Sequence, residues 1–223
     1  MNAELMHALR RITGDEKHQP SAYSTLDVLW VLYDRILHID PEKPDAPDRD
    51  WFLLSKGHGP AAYYAVLAVK GFIPPDWLDD VGSATSRLGY HPDRTLVPGV
   101  EIGSGSLGHG LPIAVGVAHG LRAQGLPGRV YVLVGDAELD EGSNHEAIAY
   151  AGAVGLDNLA VIVVDNASDR YGWSGGIASR FTVNGWTAST VDGRDHDAIE
   201  RGLHGDKDKD RPHVVVAQTE RKG

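Results

Sequence analysis

The sequence predicts an α/β fold, a parallel β-sheet flanked by helices on both faces, and three features carry that expectation. Apolar, β-branched runs at 129–136 (RVYVLVGD), 159–166 (LAVIVVDN) and 213–218 (HVVVAQ) have the all-apolar character of strands buried on both sides. Segments with helical spacing alternate with them, and that alternation is the pattern of a parallel sheet. The length, 223 residues, suits one domain, 1–223, with a sizeable core.

Taken in order, residues 2–12 and 24–37 read as amphipathic helices. In the second, Leu26, Leu29, Leu32, Tyr33, Ile36 and Leu37 share a face after a Ser/Thr start. The Pro- and Asp-rich stretch 40–50 is a loop, WFLLS (51–55) a short buried strand, and 60–70 a helix. Residues 71–107, rich in Gly, Pro, Ser and His, show little regular pattern, and loops of that length tend to be functional. Helix 109–124 leads into strand 129–136. Helix 143–155, strand 159–165, strand 187–191, helix 195–203 and strand 213–218 complete the series, with 206–213 (DKDKDRPH) a solvated turn.

The net charge is −10, from 21 Lys and Arg against 31 Asp and Glu, which argues against a nucleic-acid partner. With no cysteine there is no disulfide or thiolate–metal chemistry. The charged start has no apolar signal core and no stretch is long enough to span a membrane, so the expectation is a cytoplasmic protein. Any bound phosphate must be neutralised by something other than bulk charge.

That need gives meaning to LVGDAELDEGSN (133–144), where an apolar strand stops at Gly135-Asp136. In parallel sheets ligands sit beyond the carboxyl ends of the strands. Asp136 ends one strand and Asn166 ends the next, with a single helix between, so a carboxylate and an amide oxygen would face one crevice. Two hard oxygen donors suit Mg²⁺ or Ca²⁺, and such an ion neutralises a diphosphate in an acidic protein. The plainer alternative is that both residues only cap the next turn.

GDAELDEGSNHEA (135–147) through VVDN (163–166) resembles the thiamine-diphosphate fingerprint of transketolases. KHQPSAYSTLDVLWVLY (17–33), residues 40–74 around SKGHG, GYHPD (89–93), GSGSLGHGLPIAVGVA (103–118) and GWTASTVDGRD (185–195) resemble the same family in the same order. The similarity covers nearly the whole chain but only the diphosphate-binding first third of a full transketolase. It implies thiamine diphosphate and Mg²⁺ (or Ca²⁺) as cofactors. Asp136, Asn166 and the carbonyl of Ser168 would ligate the metal, and Gly135, Ala137 and His58 would approach the diphosphate. Gly105, Ser106 and Leu107 would hold the aminopyrimidine, and His18 and His91 would line the substrate channel. Glu141 and Glu146 match glutamates that link two cofactor sites across a subunit interface, where a shared proton lets carboxylates crowd together. For Glu138 and Asp140 the expectation is a solvated helix start.

Three positions depart from the family pattern. Ala137 replaces a Gly, Ser168 an apolar residue, and Lys17-His18-Gln19-Pro20 a Gly-His-Pro-Gly. The resemblance further implies a separate partner chain, carrying the pyrimidine-binding and C-terminal parts and the glutamate that activates the cofactor, in a heterotetramer of two copies of each. The activity implied is transfer of a two-carbon ketol unit from a ketose or ketose phosphate to an aldose. Transfer to an acyl carrier or lipoyl group, and a scaffold that has lost its cofactor, are the rivals. Residues 103–108 are also a literal GxGxxG, but the proline-rich stretch before them is a poor strand and no acidic strand end follows about 20 residues on, against a nicotinamide-dependent dehydrogenase.

Overall fold

The computed structural model describes residues 3–13, 19–205 and 210–220. Five strands, β1 (Trp51–Leu54), β2 (Val130–Gly135), β3 (Leu159–Asp165), β4 (Thr187–Asp192) and β5 (His213–Gln218), form one sheet in the order β1-β2-β3-β5-β4. Every neighbouring pair is parallel.

Among the described residues seven α-helices cover it: α1 (Ala3–Arg11), α2 (Gln19–Val31), α3 (Ala61–Val69), α4 (Gly110–Gln124), α5 (Gly142–Ala153), α6 (Gly176–Thr182) and α7 (His196–His204). Alternation along each strand splits the core in two. Phe52, Leu54, Leu133, Ile162, Val164 and Val215 face α1, α2, α3 and α7. Leu53, Val132, Val134, Val161, Val163 and Val214 face α4, α5 and α6. Central strands are apolar at every position because both of their faces are dry. β4 differs: its sequence TASTVD is polar and half-exposed, as an outer strand can be.

All five expected strands are present, and two helical expectations need correction. Helix α2 starts at Gln19, five residues before the Ser/Thr pair that the sequence suggests as its start. Ser24 and Thr25 instead turn their hydroxyls back onto the Ser21 and Ala22 carbonyls inside the helix, so they satisfy themselves without capping. Helix α6 has no counterpart in the sequence-based series. It has seven residues, too short for a periodic signal, and opens on two left-handed glycines, Gly175 at its N-cap and Gly176 as its first residue. Residues 206–209 of the expected polar turn lie outside the described residues. Among the described residues no helix is long and apolar enough to cross a membrane.

Leu133 is fully buried in the middle of β2. Leu133→Ala should lower the unfolding free energy by about 2–5 kcal/mol, read from the denaturant midpoint at unchanged slope.

Candidate functional site

β2 and β3 are hydrogen-bonded neighbours, and the Asp136 N–H still donates to the Val164 carbonyl at 3.2 Å where β2 ends. Asp136 and Asn166 therefore stand side by side at the carboxyl edge, 2% and 4% exposed. The Asp136 carboxylate accepts from the Ala137 N–H (2.8 Å), the Ser168 N–H (2.6 Å) and the Ser168 hydroxyl (2.5 Å). Asn166 Oδ1 is buried with no hydrogen-bond partner among the described residues. An amide oxygen in that position costs about 1–3 kcal/mol unless something takes its lone pairs. Beyond it the chain leaves β3 through Ala167, a non-glycine residue at φ +53°. Among the described residues no three His, Cys, Asp or Glu side chains cluster as a metal site. The donors here are one carboxylate and one amide oxygen, which fit a hard divalent cation completed by backbone, water or phosphate oxygens.

Three segments converge beside this pair. The His58 and His91 rings meet edge to face, with centroids 5.1 Å apart. His91 also lies against Gly105, where an added Cβ would come within 2.6 Å of the ring and φ is +143°, so both space and backbone demand glycine. A Cβ added to Gly57 would come equally close to the Gly105 nitrogen and the Ser104 hydroxyl. The Ser21 hydroxyl donates to the His58 carbonyl at 3.1 Å, fastening the histidine's backbone to α2. The aliphatic stem of Lys56 lies over Gly135, and its ammonium reaches Ser24 Oγ at 3.2 Å. His58, His91, Gly105, Gly135, Asp136 and Asn166 thus belong to one edge of the sheet; His18 lies outside the described residues. Ala137 opens a 3₁₀ turn, Ala137–Asp140, and is not among the residues at positive φ, so the methyl group strains nothing there.

Glu138 is not a solvated residue of a helix start. It is 1% exposed and accepts from the Ser55 hydroxyl in a short bond, the Gly108 N–H (2.9 Å) and the Gly135 N–H (3.2 Å). Burial pushes its carboxyl above the ordinary 4.5, against the pull of those donors and the Lys56 charge. The sequence signal is slight: Ser55 and Gly108 are remote in the chain, and only the apolar strand before Glu138 and the buried Leu139 after it point to a dry position. Asp140 is also engaged, 3.7 Å from the Arg180 guanidinium.

Glu141 and Glu146 are exposed, at the N-cap of α5 and one turn on. Glu146 lines a surface cleft with Pro112, Val115, Ser143, Ala147 and Tyr150, outside the crevice of the strand ends. Nearby, Arg180 Nη2 donates to His145 Nε2 at 2.5 Å and its guanidinium lies 4.9 Å from the Trp173 ring centroid. These contacts fasten the segment that follows Asn166. Burial, then the Arg180 charge, lowers the His145 pKa from its ordinary 6.5. A histidine held neutral in the fold contributes stability above its unfolded value, and that contribution is lost as pH falls through the folded one. His145→Gln should therefore lose less melting temperature than the wild type on going from about pH 7.5 to about pH 5.

The sequence matches the family described as transketolase, thiamine diphosphate binding domain, over residues 12–220. It is 55% identical over 219 residues to the protein named ferredoxin fas2 of Rhodococcoides fascians, covering 98% of this chain and 72% of that one. With no cysteine, this chain has no thiolates for the iron–sulfur chemistry such a name denotes. It is 38% identical over 208 residues to one of the subunits of the apulose-4-phosphate transketolase of Actinobacillus succinogenes, covering 91% of this chain and 75% of that one. The crystal structure of transketolase from Campylobacter jejuni superposes with a TM-score of 0.77 at 26% identity, over 98% of this chain but only 38% of that longer one. A match that runs through every segment of the crevice, on the same fold, makes this chain a member of the transketolase family, corresponding to its thiamine diphosphate binding domain.

Proposed function

We propose that the chain, as a single diphosphate-binding domain, is the thiamine-diphosphate- and Mg²⁺-binding subunit of a split transketolase. With a partner chain it would move a two-carbon ketol unit from a ketose or ketose phosphate to an aldose. The observation that carries this reading is the buried Asn166 Oδ1, without a hydrogen-bond partner among the described residues, beside Asp136 at adjacent strand ends. A scaffold gains nothing from that oxygen, whereas a divalent ion held there would offset the diphosphate charge in a chain of net charge −10.

In this reading Asp136, Asn166 and the Ser168 carbonyl hold the ion, and the Ala137 backbone and His58 approach the diphosphate. Gly105, Ser106 and Leu107 support the aminopyrimidine. His91 and His18 stand over the channel, where imidazoles can exchange protons with sugar hydroxyls near neutral pH. Thiamine diphosphate, when bound, supplies the electron sink for cleavage beside a carbonyl. The partner would contribute the pyrimidine-binding part with its activating glutamate, in a heterotetramer of two copies of each chain. Glu141 and Glu146 would meet their counterparts across the interface. The relative from Actinobacillus succinogenes, whose name makes it one of several chains of a transketolase, supports the split arrangement.

Calorimetric titration of the chain with its partner should show thiamine diphosphate binding that requires Mg²⁺ and is lost on chelation. Asp136→Ala should remove that binding while far-ultraviolet circular dichroism stays unchanged. Unaltered affinity in this variant would refute the metal assignment.

A further inference from the structure

Glu138 is buried, ionisable and given no part in the chemistry above, yet four segments depend on it. Its Oε1 takes the Gly108 N–H and the Ser55 hydroxyl, and its Oε2 takes the Gly135 N–H. Ser55 Oγ in turn accepts the Gly110 N–H at 3.0 Å, so carboxylate and hydroxyl together gather two amides from the junction between the 103–108 loop and α4. Contact at that junction is close: a Cβ on Gly110 would collide with the Ser55 side chain. The carbonyl of Gly108 is held from the other side by the Ser143 hydroxyl at 2.6 Å, and the Glu138 carbonyl by the Asn144 amide at 2.7 Å. Glu138 lies two residues beyond Asp136, at the single turn where β2 ends.

We infer that Glu138 is a positioning residue which, through Ser55, fixes the distance between the two ends of the cofactor site: the metal and diphosphate end at Asp136 and the ring end at Gly105–Leu107. This rests on the reading given under Proposed function. Because one short turn carries both carboxylates, the loop that would support the aminopyrimidine is registered against the metal end and cannot drift independently of it. Removing the Glu138 carboxylate leaves the Gly108 and Gly135 N–H groups without their acceptor and frees the loop, while the Asp136 carboxylate keeps the Ala137 and Ser168 donors that hold it.

The test separates the two ends. Thiamine diphosphate and inorganic diphosphate, each with Mg²⁺, are titrated into the complex of this chain with its partner. Glu138→Ala and Ser55→Ala should each weaken thiamine diphosphate by about tenfold or more, the consequence of a buried donor left unpaired, and change inorganic diphosphate by less than about twofold. Glu138→Gln should recover part of the affinity, because its amide oxygen can still take the Ser55 and Gly108 donors; its amide nitrogen, itself a donor, leaves only the Gly135 N–H without an acceptor. Ser55→Ala serves if Glu138→Ala does not fold. Equal weakening of both probes, no weakening of either, or a Gln variant as impaired as the Ala one overturns the assignment. A wild-type complex that binds neither probe overturns the thiamine diphosphate reading itself, before any variant is compared, and this assignment with it.

Discussion

A carboxylate taken out of water must be surrounded by donors, and the Glu138 carboxylate sets that demand for the β1–β2 side of the sheet's carboxyl edge. Its partners come from the end of β1, the start of α4 and the end of β2. None of these segments could shift alone without stranding a buried polar atom. Geometry at the crevice is thus specified by hydrogen-bond completeness, where the layers behind it are specified by packing. The two kinds of order meet at Gly135, whose N–H serves Glu138 while the strand before it is apolar at each position.

That division explains what can be read from the residues alone. β1, β2, β3 and β5 are legible because they are apolar runs of strand length, as in VYVLV and LAVIVV, whereas β4, TASTVD, owes its place to the alternating series. The adjacency of Asp136 and Asn166 follows from one intervening helix and the parallel order. Two helix boundaries are illegible for local reasons: Ser24 and Thr25 look like caps but bond within α2, and α6 is shorter than two helical turns.

Glu138 shows a deeper limit. Charge at a strand end near a helix start is most often solvated, and its burial depends on Ser55, 83 residues away, and on Gly108, 30 residues away. No local pattern encodes a contact of that range. The same holds for the crossing of His91 over Gly105, where glycine is required by a ring from a different segment, whereas Gly125 closes α4 for a reason visible in the helix itself. Ala137 is legible only as a departure; that it costs nothing follows from its backbone, which sits in a right-handed turn.

The outer strand β4 has a consequence for how such a molecule meets others. Its Thr, Ala, Ser, Thr, Val and Asp side chains leave the sheet margin short and polar, and the two helices that pack on it hold it at the end of the array. A further strand laid against it would find little apolar surface to cover, so this margin of the sheet does not invite edge-to-edge growth. The helical surface differs: Ile113, Tyr150 and Val154 of the α4–α5 side present apolar area to solvent.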